Sequence, residues 1–111
     1  MLRVPKRMLV DEFIYKEYEG IGRDKKPVHS EAITVKYTRI DRQTVFSRDT
    51  NDSKIVARAV IFCYADHTTP FKPYKERSLV EFDGKEYTVT NVIPIKHWAL
   101  DKIWAYELEV I

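Results

Sequence analysis

The chain has 111 residues, 44% of them hydrophobic and 32% charged, which suits one folded domain over residues 1–111 and excludes both wholesale disorder and a second independent core. Nineteen basic and 17 acidic side chains leave a formal net charge of +2, with the signs interspersed. Duplex-binding domains cluster their cations so that neutralised phosphates release counterions, and the sequence shows no such cluster.

Seven Tyr, five Phe and two Trp against three Gly point to aromatic-rich strands, because wide rings pack well on a half-buried pleated surface. Residues 8–18 alternate imperfectly and predict a first strand. Residues 19–27 (EGIGRDKKP) read as a loop, with glycines that relax the backbone and charges without an apolar spacing. From Ile33 the order Ile33, Val35, Tyr37 against Thr34, Lys36, Thr38 has a period of two, so one set should point inward. A polar stretch over residues 42–54 follows, interrupted only by the pair Val45 and Phe46. Residues 55–64 (IVARAVIFCY) are apolar on both faces except at Arg58, the pattern of a central strand covered on both sides.

Residues 66–77 contain Pro70 and Pro73, which cannot donate to a ladder; they predict a second long connection, with at most a short helical turn. Residues 79–82 and 85–89 flank Asp83-Gly84, the signature of a tight hairpin whose two central residues take positive φ. Residues 96–102 (KHWALDK) are too short for a firm helix. Trp104, Tyr106, Leu108 and Val110 then alternate with polar or small residues, so the chain should end in a strand tied into the sheet. Five or six short antiparallel strands with long loops predict an all-β fold, a small barrel that closes its own edges.

The residues that could carry chemistry favour structure over catalysis. The single Cys63 cannot form an internal disulfide, no Cys/His spacing suits zinc, and its apolar neighbours predict a packed, unreactive thiol in a reducing compartment. His29, His67 and His97 lack ligands at metal spacing. Asp66 and His67 are adjacent, so on a strand they would point to opposite faces and could not form a triad. There is no phosphate-binding glycine loop and no nucleophile elbow. Trp98, Trp104 and Tyr106 could stack on single-stranded bases, but Trp104 and Tyr106 share the inward phase of the last strand and read as core. Asp11, Glu12 and Lys16 interrupt any signal-peptide core, and no apolar run approaches the ~20 residues of a bilayer span. Neither metal, cofactor nor membrane partner is expected.

Residues 42–54 resist a core explanation. Long loops on small β scaffolds are where functional segments sit.

Taken in order, "VPKRMLVDEFIYKEY", "ITVKYTRID", the polar loop, "ARAVIFCYADHTTPF", "VEFDGKEYTVTNVIPIKH" and "WAYELEVI" resemble the minor capsid proteins encoded among the head genes of phages of Gram-positive bacteria. That family in turn is similar to the head-completion or stopper proteins of long-tailed phages, small β-barrels that form a ring beneath the portal and adaptor. The resemblance implies a non-enzymatic virion protein at the head–tail interface, present in the bacterial cytoplasm during assembly. Its partners would be further copies of itself, the adaptor or portal, tail completion proteins and, transiently, packaged double-stranded DNA. It also implies that Arg42, Gln43, Thr44, Val45, Phe46, Ser47, Arg48, Asp49, Thr50, Asn51, Asp52, Ser53 and Lys54 form a loop facing the channel. Arg42, Arg48 and Lys54 against Asp49 and Asp52 sum to +1, enough for weak contact with DNA without a grip. Candidate ring contacts are Leu2, Arg3 and Val4 of the N-terminal arm, with Phe71 and Tyr74 of the second connection. The alternatives are a barrel that binds nucleic acid, a tail-terminator-like protein, or a barrel-fold hydrolase or nuclease toxin using His67 or His97.

Overall fold

Alternating apolar residues need a surface that buries one face, and short strands that lack a second sheet find it by curling on themselves. In the computed structural model, which describes residues 5–46 and 54–111, that is what happens. A single 3-10 turn, Lys6–Met8, leads into β1 (Asp11–Lys16), β2 (Tyr18–Ile21), β3 (Pro27–His29) and β4 (Ile33–Asp41). These are followed by β5 (Val45–Phe46), β6 (Ile55–Ala57), β7 (Ala59–Tyr64), β8 (Leu79–Phe82), β9 (Lys85–Lys96) and β10 (Ile103–Val110). Six of them close an antiparallel barrel in the order β1-β4-β7-β10-β9-β8, while β2 with β3 and β5 with β6 form separate ribbons. The expected all-β barrel is therefore the observed one.

The inward faces supply the core: Phe13 and Tyr15 from β1, Val35 and Ile40 from β4, Ile61 and Cys63 from β7, and Tyr106, Leu108 and Val110 from β10. Asp83 and Gly84 have φ of 53° and 73°, the pair of positive values that the Asp-Gly signal requires. Beyond β10, Ile111 and Thr88 exchange both backbone hydrogen bonds at 2.9 Å, which fastens the last residue to β9.

Several expectations need correction, each for a local reason. In β4 the alternation changes phase at Tyr37, whose φ is 62°. The register against β1 slips there, so Val35, Thr38 and Ile40 are buried while Ile33 and Tyr37 lie at the surface. A bulge of this kind inserts one residue and turns the following side chains over. Residues 55–64 are not one central strand. They break at Arg58 into β6 and β7, and Val60, Phe62 and Tyr64 are only half-buried on the barrel's outer wall. Residues 19–27 are not a plain loop, since β2 and β3 pair across them as a hairpin. Residues 96–102, too short to predict as a firm helix, form an open turn in which the His97 Nδ1 accepts from the backbone N–H groups of Ala99 and Leu100, each at 3.1 Å. Trp104 sits at a register slip against β9 and is half-buried outside the core, its ring edge-on to Tyr64 with 5.3 Å between centroids.

The connection over residues 66–77 closes one end of the barrel. Thr69 and Lys36 exchange backbone hydrogen bonds, and the Thr68 hydroxyl accepts from the Tyr64 N–H while donating to the Tyr37 carbonyl. Tyr74 inserts below it, edge-on to Tyr15 at 5.1 Å and to Tyr106 at 5.7 Å between ring centroids. The Tyr15 hydroxyl, itself fully buried, bonds the Ser78 Oγ at 3.1 Å and accepts from the Lys75 N–H at 3.0 Å. Ser78 Oγ also accepts from the Tyr18 N–H at 3.0 Å. Replacing Ser78 by alanine strands part of this buried network, a loss of about 1–3 kcal/mol. Urea unfolding should show that loss as a lower midpoint with an unchanged slope.

Candidate functional site

Strands β4 and β7 are antiparallel neighbours, paired as far as Asp41 with Val60. A tight turn could join them, so the strand order of the barrel does not by itself call for the residues in between. The chain instead runs outward, and its described part forms the β5–β6 ribbon, with Val45 opposite Ala57 and Phe46 opposite Ile55. Ala57 alone of the described ribbon is buried, and Phe46 is 55% exposed. Of the excursion expected over residues 42–54, the described residues 42–46 and 54 lie outside the core, with a short strand at the root that the sequence did not indicate. Ser47, Arg48, Asp49, Thr50, Asn51, Asp52 and Ser53 lie outside the described residues.

Arg42 anchors the excursion to the barrel. Its Nε donates to Asp83 Oδ2 at 2.6 Å and its terminal nitrogen to Asp11 Oδ1 at 3.3 Å, which joins the root of the excursion to the β8–β9 turn and to β1. The Arg42 hydrogen bond holds the Asp83 carboxyl below its usual range. Arg42 thus spends its charge on the scaffold, and the remaining loop charges, Arg48 and Lys54 against Asp49 and Asp52, balance to zero. Beside the ribbon lies an open groove of about 720 Å³, walled by Phe46, Ile55, Val56 and Ile111 with Asn91 and Glu109 at its side.

The expected ring contacts fare differently. Leu2, Arg3 and Val4 lie outside the described residues. Tyr74 is a correction: at 5% exposure it belongs to the core, held by its rings and by a hydroxyl that donates to the Pro70 carbonyl at 2.8 Å. Phe71 is half-buried with its ring 5.3 Å from that of Tyr106. Both cover the barrel end. Prolines made this segment look exposed, whereas its aromatic spacing was the signal for packing.

Among the described residues no group of three or more His, Cys, Asp or Glu is placed to hold a metal. The His29 Nε2 bonds the Arg77 carbonyl at 3.0 Å, His97 caps its own turn, and His67 follows β7 in a tight turn. Burial pushes the Cys63 thiol up to about 12, so it stays protonated and inert near neutrality. Trp98, Trp104 and Tyr106 do not form one platform: Trp98 is 75% exposed in the β9–β10 turn, Trp104 leans on Tyr64, and Tyr106 is buried. No described helix is long and apolar enough to cross a membrane. The surface features missed by sequence reading are exposed apolar residues on ribbon and turn tips, Ile21, Val28 and Leu100 among them. Isolated apolar residues within polar segments were the available sign.

Comparison with known proteins supplies an independent view. A family model described as "Minor capsid protein" matches residues 5–110. A protein of Lactococcus phage LL-H, named "Uncharacterized protein ORF5", is 32% identical over 75 residues, covering 65% of this chain and 64% of the relative. No solved structure matches the chain.

The Arg42 clamp has a definite pH signature. A carboxyl whose folded pKa is lowered adds stability that is present above its unfolded value, about 3.9, and is lost as pH falls through the folded value. Arg42→Ala should therefore lower the urea midpoint at neutral pH and differ progressively less from the parent chain below about pH 4. An equal deficit at both pH values would show that the ion pair does not anchor the loop.

Proposed function

Because the chain belongs to the phage minor capsid protein family, we propose that it is a head–tail connector of the head-completion or stopper type, forming a ring below the portal and adaptor. As a minor capsid protein it is a structural component of the virion. The finer reading gives it no catalytic step. In it, a ring of barrels helps retain packaged DNA until the tail attaches, and each excursion over residues 42–54 faces the channel.

The observation that carries this reading is the superfluous excursion between two barrel strands that are already neighbours. A protein whose task ended at folding would close that hairpin directly. With Arg42 neutralised by Asp83 and Asp11, a ring of these loops offers DNA little net charge. Strong retention would require many phosphate contacts per subunit, each adding to the salt dependence of binding. Weak, repeated contact suits a gate that DNA must later leave through.

Two particle preparations test the proposal. Virions produced without this protein should appear by electron microscopy as filled or leaking heads beside free tails, and normal virions would overturn the connector reading. Replacing residues 47–53 with an Asn-Gly turn should leave the barrel folded and incorporated while raising the fraction of emptied heads. Unchanged DNA retention in those particles would remove the gating role.

A further inference from the structure

A strand apolar on both sides has only one side to bury in a barrel of a single layer. In β7 the inward side chains are Ala59, Ile61 and Cys63, which leaves Val60, Phe62 and Tyr64 on the outer wall. Register extends that surface sideways: Phe62 lies between Arg39 of β4 and Glu107 of β10, and Glu107 lies beside Ile93 of β9. The adjacent row runs Asp41, Val60, Glu109, Asn91. The wall therefore carries two acidic side chains, Glu107 and Glu109, on its middle strand, flanked by apolar Val60 and Phe62 of β7 and Ile93 of β9, and with Asp41 these carboxylates outnumber Arg39.

The strand order sets β7 and β10 across the barrel from β1 and β8. From the β1–β8 side grows the β2–β3 hairpin, fixed at its root by the Tyr18 N–H on Ser78 Oγ and by His29 on the Arg77 carbonyl. Its turn is held by Gly22 N–H to the Lys26 carbonyl at 2.8 Å and Lys25 N–H to the Gly22 carbonyl at 3.0 Å. A Cβ at Gly22 would meet Val28 Cγ2 at 2.9 Å, so a side chain there would force Val28 to shift. The tip presents Ile21, 62% exposed, and Val28, 42% exposed, amid Arg23, Lys25 and Lys26 against the single Asp24. Apolar residues among basic ones on the hairpin thus match apolar residues flanking acidic ones on the wall.

We propose that the β2–β3 hairpin of one copy docks on the β7–β10–β9 wall of the next copy, joining barrels head to tail. This rests on the ring reading of the preceding subsection and names its interface. A closed ring of identical subunits needs two different patches on each protomer, and the hairpin is rooted at the strands that lie across the barrel from the wall. Opposite charges steer and orient such an encounter, while the apolar side chains beside them supply the desolvated contact.

The buried, protonated Cys63 permits a cross-linking test without removing the native thiol. Virions carrying Val28→Cys together with Ile93→Cys should give a ladder of disulfide-linked multimers under mild oxidation, and neither single variant should. In a second test, Lys25→Glu with Lys26→Glu should reduce incorporation into particles by about tenfold. Adding Glu107→Lys and Glu109→Lys to the same chain should restore it. An amine-reactive cross-linker separates the two levels of the reading. Multimers from that reagent with none from the cysteine pair, or no rescue by the second exchange, would overturn this interface and leave the ring intact. No multimers from either reagent would overturn the ring itself.

Discussion

The fold depends on closing the seam between β1 and β8, and that closure runs through one buried hydroxyl. Tyr15 is fully buried, and burial pushes its phenol up, so the group remains a protonated donor. An unpaired hydroxyl in such a place would cost about 1–3 kcal/mol. It is instead shared between Ser78 Oγ and the Lys75 N–H, and Ser78 also receives the Tyr18 N–H. One polar knot therefore ties β1, the start of β2, the connection over residues 66–77 and the root of β8. Around it Phe13, Tyr74 and Tyr106 meet edge-on or tilted, contacts that each add about 0.5–1.5 kcal/mol beyond burial. The connection is thus a structural plug.

Much of this was legible in the sequence because local chemistry and final environment agree. Asp83-Gly84 demanded two positive φ values and has them, and the alternation of Tyr106, Leu108 and Val110 matches their burial. The errors arise where backbone geometry overrides pattern. Nothing in "ITVKYTRID" marks Tyr37 as the residue that takes φ of 62° and reverses the phase. Similarly, "IVARAVIFCY" is uniform enough to read as one strand, yet Arg58 breaks it, its N–H bonded to the Val110 carbonyl at 2.7 Å. Tyr74 was misplaced because prolines signal irregular backbone but say nothing about which side chains that backbone turns inward. The excursion was visible as a polar stretch. Its β5–β6 root was hidden, since a two-residue strand leaves no periodicity to detect.

The Arg42 clamp explains how a long excursion coexists with a small barrel. Residues outside a core lose conformational freedom without apolar compensation, so an untethered loop would fray back into β4 and β7. Bonds from Arg42 to Asp83 and Asp11 sit where the chain departs. They fix the direction in which the chain departs from β4. The same bonds remove a cation from the loop, so a single contact serves both anchoring and charge balance.

Closure of the barrel also restricts how copies can meet. In β1, β4, β7, β8, β9 and β10 each strand has a neighbour on both sides, so no main strand offers the open edge through which subunits extend a sheet. Assembly has to use outward side chains or the two ribbons, β2–β3 and β5–β6, which alone among the described strands keep free edges. The β5–β6 ribbon belongs to the excursion and lies beside β9 and β10. The β2–β3 ribbon stands on the far side, with apolar residues at its tip and no core to receive them. A barrel that needed neither partner nor lumen would have little reason to retain Phe62 outside and Ile21 at a hairpin tip, since each exposes apolar area at about 25 cal/mol per Å². The two costs cancel when one surface covers the other, which is the physical argument for reading them as halves of a single interface.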